Sequence, residues 1–188
     1  LVSGSASGLY GDRGDELLTE DSGKGTGFLS DLAFAWEQEA LKAPADGRVI
    51  LARTTMVMSR KLGALGRLLP LIKLGVGGAL GSGKQWMSWI VIDDLARMFS
   101  FAVKNEKASG IYNAVGPNPA TNAELTKAAA KHAGKPFIGF GVPGFGLKLF
   151  LGEMAMMVLG GNKVSSKKIQ SAGFEFNYPE LDEAMKGV

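Results

Sequence analysis

Among the side chains of this 188-residue sequence that bind ligands or move protons, the densest group is Arg53-Thr54-Thr55-Met56-Val57. It closes a nearly continuous β-branched and apolar run, Arg48 to Thr54, of the kind that forms a strand buried on both faces of a parallel sheet. The carboxyl ends of such strands are where open α/β sheets bind ligands, so a guanidinium and two hydroxyls there are candidates to hold one. Lys84-Gln85-Trp86 offers a cation, an amide and an indole ahead of a second strand-like run, Trp86 to Ile92. Lys84 serves equally well as a solvated loop lysine, and Trp86 and Trp89 as core packing. Asp93-Asp94 resembles a carboxylate pair. It is better read as the acidic start of a helix, where carboxylates meet free N–H groups and the positive end of the dipole. His132, in the last turn of a helix, reads as a dipole-compatible surface residue rather than a base. Glu153, in an otherwise apolar stretch, needs either a buried partner or a cleft.

Composition removes several classes of function. There is no cysteine, so no disulfide and no thiolate metal or redox site, and a single histidine excludes a His-based metal centre unless a partner donates ligands. The expectation is no metal. Net charge is +3, but Lys and Arg never run longer than two, which argues against a nucleic-acid face. No apolar run approaches the roughly 20 residues a bilayer requires, and no signal-peptide pattern is present. With 46 % hydrophobic and 21 % charged residues, an ordinary globular protein of the cytoplasm is expected. Glycine, at 27 residues, is about twice its usual share, which points to sharp turns and close backbone approaches.

The elements that must position these residues alternate. A strand over 1–7 enters a small-residue turn and a polar loop that runs to Gly27. Phe28 to Lys42 has apolar residues at helical spacing and stops at Pro44. The strand 48–54 follows, then a helix-like piece over 65–74 and a glycine-rich loop from Gly75. After the strand-like run at Trp86 come a helix over 95–105, a strand over 109–115, and a helix opened by Thr121 with Glu124 as a capping box. A strand over 137–142, an apolar helix over 145–159, a helix start at Ser165-Ser166-Lys167-Lys168 and a terminal helix from Pro179 complete the chain. Strands alternating with helices predict a parallel α/β sheet with a small added lobe.

Several segments carry a family resemblance: Ser5-Ala6-Ser7-Gly8-Leu9-Tyr10-Gly11-Asp12, Thr19-Glu20-Asp21-Ser22, Trp36-Glu37, Arg53-Thr54, the run from Gly81 to Asp94, Tyr112-Asn113-Ala114-Val115-Gly116-Pro117, Leu151-Gly152-Glu153 and Ala172-Gly173-Phe174. In this order they resemble the C-terminal two thirds of the epimerase-like, atypical short-chain dehydrogenase/reductase proteins often labelled cell-division-inhibitor-like. The resemblance implies the C-terminal part of a doubly wound, Rossmann-type parallel sheet with a small α/β substrate lobe. It sets 1–7 at the fifth strand, 48–54 at the sixth and 109–115 near the end of the sheet. Residues 1–60 and 85–120 would form the sheet domain, and 61–84 and 121–188 the lobe. The chain opens at Leu1 as if in mid-strand and carries no glycine-rich turn that feeds a helix. About a hundred residues bearing the dinucleotide cradle are therefore expected to be absent, leaving a sheet edge for that half or another chain to cover.

The resemblance further implies NADP as cofactor and a small-molecule substrate. Ser5 matches the family serine that orients a substrate oxygen, with Ser7 close enough to compete. Arg53, Thr54, Thr55, Met56 and Val57 would approach the cofactor, and Lys84, Gln85 and Trp86 the substrate cleft. The Tyr and Lys that usually move the proton fall at Leu29 and Ala33, neither of which titrates. Tyr10 is the nearest phenol, a weak candidate that is better read as a turn residue packed on its loop. The arginine that grips a sugar-nucleotide diphosphate falls at Met87, which disfavours such a substrate. Two functions remain open at this level: an NADP(H)-dependent oxidoreductase of unassigned substrate, or a non-catalytic dinucleotide-binding regulatory protein.

Overall fold

The computed structural model describes residues 1–43, 47–59, 72, 78–142 and 160–187. The helix read over 65–74 (Ile72 apart), the loop 75–77, and the apolar helix over 145–159 with Glu153 lie outside them. Strand β1 (Val2–Ala6) leads into a 3-10 turn (Ser7–Tyr10), the short β2 (Leu17–Leu18) and helix α1 (Phe28–Ala40). Strands β3 (Ile50–Thr54), β4 (Met56–Met58) and β5 (Gly78–Leu80) follow. The run at Trp86 is two strands, β6 (Trp86–Met87) and β7 (Trp89–Val91), ahead of helix α2 (Ile92–Lys104). Then come β8 (Gly110–Ala114), β9 (Ala120–Thr121), helix α3 (Asn122–His132), β10 (Ile138–Val142), β11 (Lys163–Val164), helix α4 (Lys167–Ser171) and helix α5 (Leu181–Gly187).

The central sheet has the order β1-β3-β8, all parallel. Its register sets Ser5 beside Arg53 and Arg53 beside Asn113, one polar rung across the three strands. Side chains alternate between faces along a strand, so the neighbouring rung, Gly4-Ala52-Tyr112, faces the opposite way. There Ala52 and Tyr112 pack with Met98 and Ala102 of α2 and with Ile169 and Phe174. The other face meets α1, where Leu9, Tyr10, Leu18, Ala33, Val115 and Val164 form a second cluster. Helices on both faces explain why the strands lack polar alternation.

A third cluster joins Trp89 and Val91 to Leu125, Ala129, Ala184 and Met185 and forms the core of the lobe. The β5–β10 pair is parallel, and the β6–β9 pair antiparallel. Residues 165–176, which a division at 121–188 assigns to the lobe, place Ile169 and Phe174 under the central sheet instead. The break between β6 and β7 falls at Ser88. Its hydroxyl donates to Asn162 O at 2.8 Å and accepts from Val164 N–H at 2.9 Å, so 162–164 is stitched to the strand run.

The acidic start at Asp93-Asp94 is used differently from the sequence expectation. The helix begins at Ile92 without a side-chain cap. Asp94, buried, accepts N–H bonds from Asn177 and Tyr178, both at 3.0 Å, and pairs with Arg97 at 2.6 Å. A short-range cap was expected, and a long-range clamp on the chain's end is found.

Candidate active site at the strand ends

The polar rung is the base of the site. Arg53 forks onto Glu37 of α1, Nε to Oε1 and Nη2 to Oε2, each at 2.8 Å. Both residues are about 95 % buried, and two parallel N–H···O bonds are what an arginine offers a carboxylate. Ser5 donates to the same Glu37 Oε1 at 2.6 Å. From the other side Arg53 Nη1 donates to the Tyr10 phenol at 2.9 Å, and that phenol donates to Asn113 Oδ1 at 2.7 Å. Asn113 completes the set through its Nδ2, which donates to Ser165 O, and through its N–H, which Glu20 Oε1 accepts. Burial pushes the Tyr10 phenol upward, and the bond and charge of Arg53 offset only part of that rise. For Arg53, burial acts to lower its pKa, but bonds to Glu37 and Tyr10 outweigh it and hold the guanidinium charged.

Three residues singled out as ligand-facing are therefore internal. The Ser5 proton is committed to Glu37, Arg53 is consumed by Glu37 and Tyr10, and Tyr10 is fully buried. Tyr10 is a packed turn residue, buried in the α1-side cluster. Leu29 lies exposed beside Gly8 of the 3-10 turn, while Ala33 is buried in the α1-side cluster.

One residue beyond the rung the character changes. The Thr54 hydroxyl turns back on its own strand, Oγ1 donating to Ala52 O at 3.4 Å. Thr55 Oγ1 is buried with no hydrogen-bond partner. A buried hydroxyl left unpaired costs about 1–3 kcal/mol, so this orphan asks for an explanation. Met56 and Val57 continue into β4, whose pairing with β7 joins the strand end to the lobe.

The cleft residues of the second segment point elsewhere. Lys84 is exposed in a turn, and Gln85 donates from its amide to Leu80 O at 2.9 Å. The Trp86 indole donates to Asp15 at 2.6 Å with Lys163 Nζ 4.1 Å from its ring centroid, clasping the 11–26 loop. Met87 is half-buried against the lobe core and pairs with Ala120. These residues are not brought to the rung. What sequence reasoning missed is Asn162, whose amide donates to Ser7 O at 2.9 Å, and Gly161, where a Cβ would stand 2.0 Å from Trp86 O. The glycine surplus was a signal for such close approaches without saying where they fall.

Comparison with known proteins bears on the fold and its relatives. The chain is 37 % identical to the epimerase family protein SDR39U1 homolog, chloroplastic, of Arabidopsis thaliana over 188 residues, and 38 % identical to an epimerase family protein of Mycobacterium leprae over 187. Over nearly its whole length the chain is thus similar to proteins named as the epimerase family. It spans 54 % and 61 % of the length of those two relatives. Residues 142–188 match a family described as Domain of unknown function (DUF1731). The crystal structure of human epimerase family protein SDR39U1, isoform 2, with NADPH superposes with a TM-score of 0.94 at 31 % identity, over 100 % of this chain and 64 % of that one. A nucleoside-diphosphate sugar epimerase from Corynebacterium glutamicum gives 0.78 at 33 % identity, covering 98 % of this chain and 36 % of that one. The Rossmann-like parallel sheet of this family is thus the fold of the chain. Among the described residues no helix is long and apolar enough to cross a membrane, and no group of acidic or His side chains is placed to hold a metal.

Proposed function

We propose that this chain contributes the carboxyl ends of the later sheet strands to an NADP(H)-binding oxidoreductase acting on a small molecule. The observation that carries the reading is the orphaned Thr55 hydroxyl. It follows the carboxyl end of a parallel strand, where ligands sit in this architecture, and it has no hydrogen-bond partner among the described residues. Further support is the NADPH held by the human relative. A residue set of hydroxyls and backbone at strand ends fits the nicotinamide end of such a cofactor, which supplies hydride chemistry when bound.

In this reading the protein lacks the usual Tyr-Lys pair. Leu29 and Ala33 occupy the corresponding helix positions and cannot move a proton, so proton transfer falls to water or to substrate groups. A diphosphate-bearing sugar nucleotide is not the substrate we infer, because Met87 packs half-buried against the lobe core and offers no charge. The division into a sheet domain, 1–60 and 85–120, and a lobe, 61–84 and 121–188, accompanies the reading, with 165–176 packed on the sheet. So does a covering for β1, an outer strand of the described sheet, by a strand of the complete protein or of another chain.

The test is equilibrium titration of the full-length protein with NADPH and NADH, followed by fluorescence or calorimetry. Saturable NADPH binding that is tighter than NADH binding is expected. Absence of any dinucleotide binding would sink the reading.

A further inference from the structure

The loop between the 3-10 turn and α1 folds back on itself around an open cavity of about 420 Å³, with residues 10–13 on one side and 23–26 on the other. That volume suits a small metabolite. The two sides meet backbone against backbone. Gly25 N–H donates to Leu9 O at 2.9 Å, and a Cβ on Gly25 would stand 2.3 Å from Tyr10 O, so only glycine lets them close to this distance. Beyond the cavity the loop is clasped to the strand run, where Trp86 Nε1 donates to Asp15 at 2.6 Å.

Two cations line this cavity. Arg13 spans it: Nη1 donates to Gly23 O on the opposite side at 3.3 Å, while Nε and Nη2 fork onto Glu16, each at 2.8 Å. Lys24 pairs with Asp31 at 2.5 Å. Both pairs are reached by solvent, and such pairs are worth about 0–1 kcal/mol, so an incoming anion can share or take over either cation at little cost. The backbone N–H groups of Gly23, Lys24 and Thr26 donate to no described residue, which leaves further donors on the same side. One carboxylate opposes them, Asp12, whose Oδ1 accepts from Gly14 N–H at 3.1 Å.

We propose that this cavity binds the carboxylate or phosphate of a small molecule, held by Arg13 and Lys24. That this molecule is the substrate rests on the oxidoreductase reading above, whereas the anion site stands on its own geometry. Met87, where the resemblance sets a diphosphate-gripping arginine, is uncharged, and the loop supplies cations in another place.

The full-length protein is titrated calorimetrically with inorganic phosphate, with malonate and with NADPH, all at one ionic strength. Saturable binding of phosphate or malonate is expected, and the one that binds tighter tells a phosphorylated molecule from a carboxylic acid. R13Q and K24Q should each weaken that binding by roughly tenfold, the worth of one charged hydrogen bond, and leave NADPH affinity and ligand-free thermal unfolding at the parent values. E16Q, which releases the guanidinium, should tighten it, and weaker binding there counts against the proposal. No saturable binding of either anion by the parent overturns it, as does parent-like anion affinity in both R13Q and K24Q. NADPH affinity that falls in step with the anion overturns it too, because the cavity then holds a phosphate of the cofactor. A parent that binds phosphate or malonate but no dinucleotide sinks the oxidoreductase reading and leaves the anion site standing.

Discussion

At the scale of single residues, Arg53 shows how a group fit for ligand binding is committed instead to structure. A guanidinium at a strand's carboxyl end could grip a ligand, and nothing in the local sequence tells that use from an internal one. Its partner Glu37 lies in another element, on a helix that reads as merely amphipathic, and the two meet only once β1, β3 and α1 are assembled. Arg53→Leu leaves Glu37 buried without its counter-charge and should cost about 3–5 kcal/mol in urea unfolding. The double substitution E37L/R53L should recover much of that loss, because both charges go together. A double variant no more stable than R53L would show that the fork is not the reason for the cost. For Thr55, by contrast, the sequence argument for a ligand role needs position after a strand alone, and its buried hydroxyl is left without a partner among the described residues.

Elements were more readable than contacts. Helix α1 over Phe28–Ala40 follows from apolar spacing, and the α3 start from Thr121 and Glu124, whose capping box forms as read. The short strands β2 and β11 were invisible, because two residues carry no periodicity and their pairing joins segments far apart in sequence. The run from Trp86 to Ile92 read as one strand for a related reason: Ser88 breaks it through bonds to 162–164, which no local pattern announces. The capping box gives a pH prediction. The backbone N–H and hydroxyl of Thr121 hold the Glu124 carboxyl below the usual carboxylate range. Its contribution is therefore fully present above the unfolded-state value and fades as pH falls through the lowered folded one. Thr121→Ala should cost about 1 kcal/mol at neutral pH. In chemical unfolding at successively lower pH, the gap between wild type and Glu124→Gln should shrink once the carboxylate protonates. A gap that stays constant down to acid pH would contradict the capping role. Gly161→Ala belongs to this scale too: its Cβ would meet the Trp86 carbonyl, so loss of folded protein in circular dichroism is expected, whereas Gly23→Ala, with open space around its Cβ, should be tolerated.

For the molecule as a whole, the exposed apolar residues have a pattern. Phe28, Leu32 and Trp36 line one side of α1 at helical spacing and are 76 %, 52 % and 51 % exposed, with Trp36 reaching toward Gly4 on β1. A contiguous apolar surface beside an outer strand favours association. Expressed by itself, the 188-residue chain should therefore self-associate in light scattering, and replacing Phe28 and Leu32 by serine should reduce this. A monodisperse monomer of the unmodified chain would count against it. At this scale the family likeness and the sheet were legible, because strand-end residues and loop motifs sit at spacings set by the fold. The commitment of Ser5 to Glu37 was not, because it depends on which face of the sheet meets α1.

The polar rung also bears on how the sheet assembles. Its three strands come from distant parts of the chain, and apolar parallel strands can slide past one another with little change in burial. A slip of one residue would turn the Arg53 guanidinium to the opposite face, among Met98, Ala102 and Phe174, with Glu37 stranded on the other side. Only one alignment lets Ser5, Arg53 and Asn113 all find their partners. The rung therefore serves as a registration mark: it penalises misaligned sheets while the chain is still folding, before any ligand has reached the strand ends.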